Sequence, residues 1–138
     1  MRKRTLTAAV ATGLFTALAA SPAHAADYYR FCSTTGASGS ITADVERMGE
    51  AGYPDYYASA RTNVNDTSAD GHHVRVRMVI GLADGTNLHS DWRRNTAGSG
   101  TSASGTVDMG FYGTFEAIAV QVARYEGDTF LNSCTAWS

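Results

Sequence analysis

Apolar and polar residues alternate along much of the chain, which is the period-two pattern of β-strands with one buried face. The clearest run is 73–82, where every second residue is apolar. Its apolar face comprises Val74, Val76, Met78, Ile80 and Leu82. Residues 41–46 and 56–64 show the same alternation, and 107–111 resumes it. Clusters of Gly, Asp, Asn and Ser separate these runs, so the pattern predicts an all-β domain.

Residues 83–86 predict a hairpin whose loop length decides the register of the next strand. A two-residue loop, 84–85, would place His89 and Asp91 on the buried face, whereas a three-residue loop, 83–85, shifts the pairing by one residue. We therefore expect the three-residue loop. The expected pairs are Ile80 with Leu88, Met78 with Ser90, Val76 with Trp92, and Arg77 with Asp91 as an ion pair.

The second half of the chain contains a small-residue stretch and an ambiguous apolar stretch. Residues 96–106 have no apolar side chain larger than alanine, and we expect a mobile surface loop there. Residues 115–125 fit a helical stripe as well as a strand, but β-branched residues such as Val120 favour a strand. The last strand, 129–137, would return as a hairpin with Cys134 beside Val120. About seven or eight strands in one small domain predict a β-sandwich or a flattened barrel.

Residues 1–25 have the organisation of a secretory signal peptide. A basic run at 2–4 precedes an apolar run at 6–20, and small residues lead to an expected cleavage after residue 25. The domain would then be 26–138, with eight arginines, no lysine and thirteen acids, a net charge of −5. Phosphate binding needs clustered Lys and Arg, so we expect neither nucleic acid nor an anionic membrane as the main partner. No later segment reaches the ~20 apolar residues of a membrane span.

Cys32 and Cys134 are the two cysteines of the chain. Export would place them in an oxidising compartment, where a pair of thiols normally couples, so we expect one disulfide joining the first and last strands. It would close a loop of roughly 100 residues, for which chain entropy predicts about 4–5 kcal/mol of stabilisation. A redox or metal-binding role is disfavoured because the pair lacks Cys-x-x-Cys spacing.

The sequence offers one candidate for a metal site, at residues 66–71. Asp66, Ser68 and Asp70 place oxygen atoms at alternate positions, as in the opening of a calcium loop. The twelfth position of an EF-hand calcium loop needs a glutamate, and here it is Arg77, so the sequence does not fit an EF-hand. A calcium site in a β-loop and an Asx-rich turn both remain open for these residues.

The signals for catalysis are absent or incomplete. The nearest approach to Gly-x-Ser-x-Gly is 100–104, and Ser104 stands where the motif requires glycine. His72 and His73 would lie on opposite faces of a strand, so they cannot close on one zinc ion from the same side. We therefore expect a protein that is not an enzyme and has no cofactor unless calcium binds.

Arginine and aromatic residues provide the stronger functional signal, because both types are enriched at binding hot spots. The candidate binding residues are Tyr57, Arg75, Arg77, Trp92, Arg93 and Arg94. The four arginines are expected close together on one sheet face. A structural interpretation of the same residues is that tyrosine suits strands anyway and that Arg75 and Arg77 pair with nearby acids.

Two motifs carry a resemblance to known proteins. Residues 66–77 read Asp-Thr-x-x-Asp-Gly-His-His-Val-Arg-Val-Arg, and residues 134–137 read Cys-Thr-x-Trp. With the export signal and the absence of lysine from residues 26–138, these motifs make the chain resemble a group of small secreted actinobacterial proteins that have no assigned activity. Some small exported actinobacterial β-proteins are adaptors in large antibacterial assemblies, the umbrella toxin particles, and the resemblance implies that role as one expectation.

We expect a secreted, non-catalytic module that binds another exported protein through its arginine and aromatic face or an edge strand. An alternative is an inhibitor of secreted hydrolases that inserts residues 96–106, although that stretch has neither a proline nor a disulfide to stiffen it. The third hypothesis is a small hydrolase or a calcium-dependent carbohydrate binder.

Overall fold

The computed structural model describes residues 27–138, which form nine β-strands and no helix. The expected signal peptide at 1–25 lies outside the described residues. The strands are β1 (Tyr28–Thr34), β2 (Ala37–Arg47), β3 (Tyr56–Asp66), β4 (His73–Leu82), β5 (Asn87–His89), β6 (Arg93–Asn95), β7 (Ser102–Phe111), β8 (Phe115–Glu126) and β9 (Thr129–Trp137). No helix within 27–138 is long and apolar enough to cross a membrane.

The strands form two antiparallel sheets packed face to face. The first sheet has the order β1-β2-β3-β7, and the second has the order β5-β4-β8-β9, with β6 also paired to β4. No hydrogen-bonded strand pair joins the two sheets among the described residues. The prediction of a β-sandwich is confirmed, and the flattened-barrel alternative is wrong.

The core lies between the sheets and consists of the apolar faces that the alternation predicted. Each strand turns every second side chain inward, so the two inner faces interdigitate. Side chains that are almost completely buried include Ile41, Val64, Val74, Val76, Met78, Ile80, Ile118, Val120 and Val122. Residues 115–125 lie within β8, whose centre is buried, so the choice of a strand over a helix is confirmed.

The β4–β5 hairpin has the three-residue loop that its register requires. Ile80 pairs with Leu88 as expected, and Gly85 closes the turn in the left-handed region with φ of 85°. The register then changes before β6, where Val76 pairs with Arg93. The predicted pair of Val76 with Trp92 is therefore wrong.

A serine accounts for the change of register between β5 and β6. The Ser90 amide donates to the carbonyl of Met78, and the Met78 amide donates to Ser90 Oγ at 3.0 Å. The hydroxyl thus replaces the backbone carbonyl that a regular ladder would supply, and the chain gains one residue before Arg93. That extra residue moves Trp92 off the buried face.

Half of the expected loop at 96–106 is strand. Residues 102–106 belong to β7, which pairs with β3 along its length, so the loop prediction is wrong there. The inward residues of this half-strand are Ala103 and Gly105, and their small size hides the alternation. The remaining turn is anchored by buried Asn95, which donates to the carbonyl of Thr101 at 2.9 Å.

The predicted disulfide is confirmed, and it crosses from one sheet to the other. Cys32 in edge strand β1 is bonded to Cys134 in edge strand β9, with Cα atoms 6.0 Å apart. The bond is consistent with an extracellular location. Cys134 pairs with Val122 rather than the expected Val120, because the β8–β9 turn has only two residues, 127–128, and an extra residue, Leu131, shifts the register by one more position.

Candidate functional site

The outer face of the second sheet brings arginine and aromatic side chains together. Alternation along β4 turns three polar residues outward, and neighbouring strands add partners beside them. We call this set the aromatic–arginine face, and it consists of His73, Arg75, Arg77, Trp92, Arg94, Tyr125 and Phe130. Pairing accounts for the grouping, since Arg75 lies opposite Arg94, and His73 lies opposite Tyr125.

Arg75 is held flat against this face by four contacts. Its guanidinium carbon lies 3.9 Å from the centroid of the Tyr125 ring, and its Nε donates to His73 Nε2 at 2.9 Å. Its Nη2 donates to the carbonyl of Gly127 at 3.3 Å and to Asp128 Oδ1 at 3.4 Å. The side chain is only 12% exposed, so its charge is fixed in position.

Arg77 has a similar arrangement but keeps free donors. Its guanidinium carbon lies 4.2 Å from the Trp92 ring centroid, and its Nε donates to Gln121 Oε1 at 2.7 Å. Its two terminal nitrogens make no hydrogen bond within residues 27–138. Burial lowers the pKa of Arg77, but a guanidinium remains charged at neutral pH. The predicted ion pair with Asp91 does not form, so that expectation is wrong.

Small residues form the floor beneath the large side chains. Val79, Ala119 and Ala123 point outward from the second sheet, yet they are at most 2% exposed. Gly81 allows the Trp137 indole to lie close, since a Cβ there would be 3.1 Å from Trp137 Cζ3. The large side chains therefore lie flat on the sheet and shield a thin apolar layer, which restricts their motion.

Two of the predicted binding residues lie elsewhere. Arg93 is opposite inward-facing Val76, so it reaches across the sandwich edge, where Nε donates to the carbonyl of Thr106 at 2.9 Å. The expectation that Arg93 shares a face with Arg75 is wrong, and the reason is the extra residue before β6. Tyr57 is 41% exposed on the outer face of the first sheet. Their roles in binding remain predictions.

The two aspartates among the calcium candidates accept hydrogen bonds within the protein. Asp66 is buried, and its Oδ1 accepts from the Ser68 amide at 3.1 Å in an Asx turn. Asp70 accepts from Arg124 Nη2 at 2.6 Å and lies 2.9 Å from His72 Nδ1. Within 27–138 no three His, Cys, Asp or Glu residues are placed to hold a metal ion. The geometry therefore lends the calcium hypothesis no support.

The sequence interpretation missed Tyr125 and Phe130 of this face and the adjacent Gln121. Gln121 and Tyr125 alternate with buried Val120 and Val122, and that alternation could have placed both outward. Phe130 gave no such signal, because the extra residue in β9 sets its position opposite Tyr125. Phe130 is 56% exposed, and its ring meets Tyr125 edge to face at 5.8 Å between centroids.

The face supplies fixed cationic donors and aromatic surface, the side-chain types enriched at binding hot spots. A comparison with models of protein families finds no match, and a comparison with curated proteins finds no relative. The functional conclusion therefore depends on the geometry of the residues.

Proposed function

We propose that the protein is a secreted, non-catalytic binding module that docks on another exported protein through the aromatic–arginine face. The observation that carries the proposal is that Arg77 is held in one orientation and still has unused hydrogen-bond donors. Its guanidinium is oriented by Trp92 and Gln121 while its terminal nitrogens remain free. Such a group can form two parallel hydrogen bonds with one carboxylate of a partner. The adaptor role implied by the resemblance is one form of this function.

Preorganisation supports binding at this face. Fixing a flexible side chain on association costs about 0.5–1.5 kcal/mol, and Arg75 and Arg77 are already fixed in the free protein. Tryptophan, tyrosine and arginine dominate the binding energy of protein interfaces, and Trp92, Tyr125 and both arginines lie side by side here.

Charge complementarity indicates an acidic partner surface. Arg75, Arg77 and Arg94 lie together, while residues 26–138 as a whole carry a net charge of −5. A local basic patch on an acidic protein steers an acidic partner to one face and repels it elsewhere. Nothing in the structure favours the inhibitor alternative, because only 96–101 remains as the loop that would insert.

The test is recovery of a partner by tagged protein, residues 26–138, from culture supernatant of the producing strain. We expect Arg77→Ala and Trp92→Ala each to weaken binding of the recovered partner about 30-fold or more, the size of a hot-spot loss near 2 kcal/mol. Tyr53→Ala is the matched control, because this exposed aromatic lies in the turn between β2 and β3 of the first sheet. Circular dichroism and Tm verify that each variant folds.

Two results would contradict the proposal. In one, no partner is recovered reproducibly from the supernatant. In the other, a partner is recovered but Tyr53→Ala weakens its binding as much as Trp92→Ala does. Arg77→Lys adds a test of geometry, because lysine keeps the charge and loses the planar pair of donors.

A further inference from the structure

The outer face of the first sheet carries a polar groove that the proposed function does not use. The polar groove is defined by Ser40, Thr42, Arg61, Asn63, Ser104 and Thr106. It is a shallow, open depression of about 480 Å³, and a recess of about 340 Å³ extends it past Ser59 to Asp27 and Asp44. The two share Thr42, Arg61 and Thr106, so they form one continuous channel across three strands.

Strand pairing arranges the groove in regular rungs. Thr42, Arg61 and Thr106 lie side by side on β2, β3 and β7, and Ser40, Asn63 and Ser104 form the next rung. A third rung consists of Ser38, Asn65 and Ser102. Successive rungs are two residues apart, so the three span about 13 Å along the strands. Hydroxyl and amide groups are thus presented at even spacing along one direction.

Cross-strand hydrogen bonds fix the orientation of these side chains. Asn63 Nδ2 donates to Ser104 Oγ at 2.9 Å, which leaves Asn63 Oδ1 as an acceptor facing the groove. Asn65 Nδ2 donates to Ser38 Oγ at 3.3 Å, and Ser102 Oγ donates to Asn65 Oδ1. The groove therefore offers donors and acceptors in a set pattern before any ligand arrives.

The channel carries both signs of charge, with one arginine and two carboxyl groups among its lining residues. Arg61 is exposed at its centre and forms no ion pair or hydrogen bond among residues 27–138. At the end of the channel, the neighbouring Asp27 carboxyl, together with burial, raises the pKa of Asp44. The two carboxyl groups beside a single arginine disfavour a polyanion.

Two exposed aromatic rings border the same rungs. Tyr29 on β1 pairs with Thr42, and Phe31 pairs with Ser40. Their side chains are 59% and 51% exposed, and both point outward because Tyr28 and Cys32 face the core. An aromatic ring beside rows of hydroxyl and amide groups matches the two surfaces of a sugar, since pyranose C–H faces stack on rings and hydroxyls need donors and acceptors.

We propose that the polar groove binds a neutral polysaccharide chain, without calcium. Tyr29 and Phe31 would contact the apolar faces of its sugar units, while Arg61 and Asn63 hydrogen-bond its hydroxyl groups. The mixed donors and acceptors of the channel, and the carboxyl groups at its end, fit an uncharged polyhydroxyl chain better than an acidic one. Because this site is on the sheet opposite the aromatic–arginine face, one molecule could hold a glycan and a protein partner together.

The experiment measures depletion of the protein, residues 26–138, from solution by cellulose, chitin and starch granules, followed by a neutral glycan array. Heparin-agarose is the polyanionic counterpart, and each measurement is repeated with a calcium chelator. We expect retention on at least one neutral polysaccharide, unchanged by the chelator. Arg61→Ala, Asn63→Ala and Phe31→Ala should each weaken this retention at least tenfold with unchanged Tm.

The matched control is Arg94→Ala, which removes an exposed arginine from the other sheet and should retain the neutral glycan fully. Trp92→Ala should also retain it, so failure of protein binding and failure of glycan binding are distinguished. The proposal is overturned if no neutral polysaccharide or array glycan is retained, or if binding occurs only to heparin. It is also overturned if the chelator abolishes binding or if Arg61→Ala and Asn63→Ala bind as well as the unaltered protein.

Discussion

Arg75 and Arg77 are neighbours on one strand face, and each is stabilised by neutral acceptors as well as an aromatic ring. His73 Nε2 and Gln121 Oε1 accept from their Nε atoms, and Tyr125 and Trp92 lie against the guanidinium planes. Within residues 27–138, the only acidic contact of these two arginines is that of Arg75 with the fully exposed side chain of Asp128. Since exposed ion pairs contribute little, the face retains most of its positive potential for an external acid.

His73 makes the stability of this arrangement depend on pH. Burial first, and the cations of Arg75 and Arg94 second, lower the pKa of His73 below its ordinary value of 6.5. The unfolded chain therefore takes up a proton near pH 6.5 while the folded chain does not, so stability is complete above that pH and falls as the pH decreases. We expect the urea concentration at the unfolding midpoint to decrease as the pH is lowered from 7.5 to 5.5.

His73→Gln tests this origin, because glutamine can accept from Arg75 Nε without titrating. In this variant, the urea midpoint should change less with pH over the same range. Some dependence should remain, since burial and Arg77 lower the pKa of His89 as well. An equally steep profile in His73→Gln would show that His73 is not the responsible group.

At the scale of elements, strand β2 approaches the facing sheet through a glycine. A Cβ at Gly39 would lie 2.8 Å from the carbonyl oxygen of Asn63 and 2.8 Å from Val122 Cγ2. One of these atoms belongs to the neighbouring strand backbone and the other to the core of the second sheet. The absence of a side chain here therefore lets β2 and β8 come together.

Gly39→Ala should destabilise the domain by about 1–3 kcal/mol, the usual cost of forcing a methyl group into a filled core. The measurement is the unfolding free energy from chemical denaturation, and the m-value should be the same in the variant and the unaltered protein. Gly105→Ala is the control, because a Cβ there meets only the flexible Arg93 side chain, at 3.4 Å. Equal losses in the two variants would mean that close approach at Gly39 is not the cause.

At the scale of the whole molecule, the two sheets are fastened at both open edges. The Cys32–Cys134 bond joins β1 to β9 on one side, and Arg93 joins β6 to the backbone of β7 on the other. Neither fastening is a strand pair, so the sandwich keeps separate sheets. The two outer faces are left uncovered, and they carry different chemistry.

Removing the disulfide should cost about 2–5 kcal/mol, because the bond spans 102 positions of the chain and limits the unfolded ensemble. The comparison is between the unaltered protein and the double variant Cys32→Ala, Cys134→Ala in urea unfolding. A reductant should destabilise the unaltered protein and leave the double variant unchanged. Unfolding curves of the two proteins that coincide without reductant would refute a stabilising role.

The sequence alone determined the features that depend on local pattern and composition. The inward faces of β2, β3 and β4 followed from period-two alternation, because a one-residue slip would expose a whole apolar row. The disulfide followed because a chain with two cysteines has only one intramolecular pairing. The hairpin loop at 83–85 followed because the shorter loop would have buried polar residues.

Only the tertiary structure decided which side chains meet. The Ser90 hydroxyl replaces a ladder carbonyl and sends Arg93 across the sandwich edge, and Leu131 adds a residue that sets Phe130 beside Tyr125. Residues 102–106 of β7 showed no apolar–polar alternation in the sequence, because their inward residues are small. The polar groove joins three distant segments of the chain, 38–44, 59–65 and 102–106, through the strand order β2-β3-β7. Such long-range pairing depends on the packing of the entire fold, and no local pattern records it.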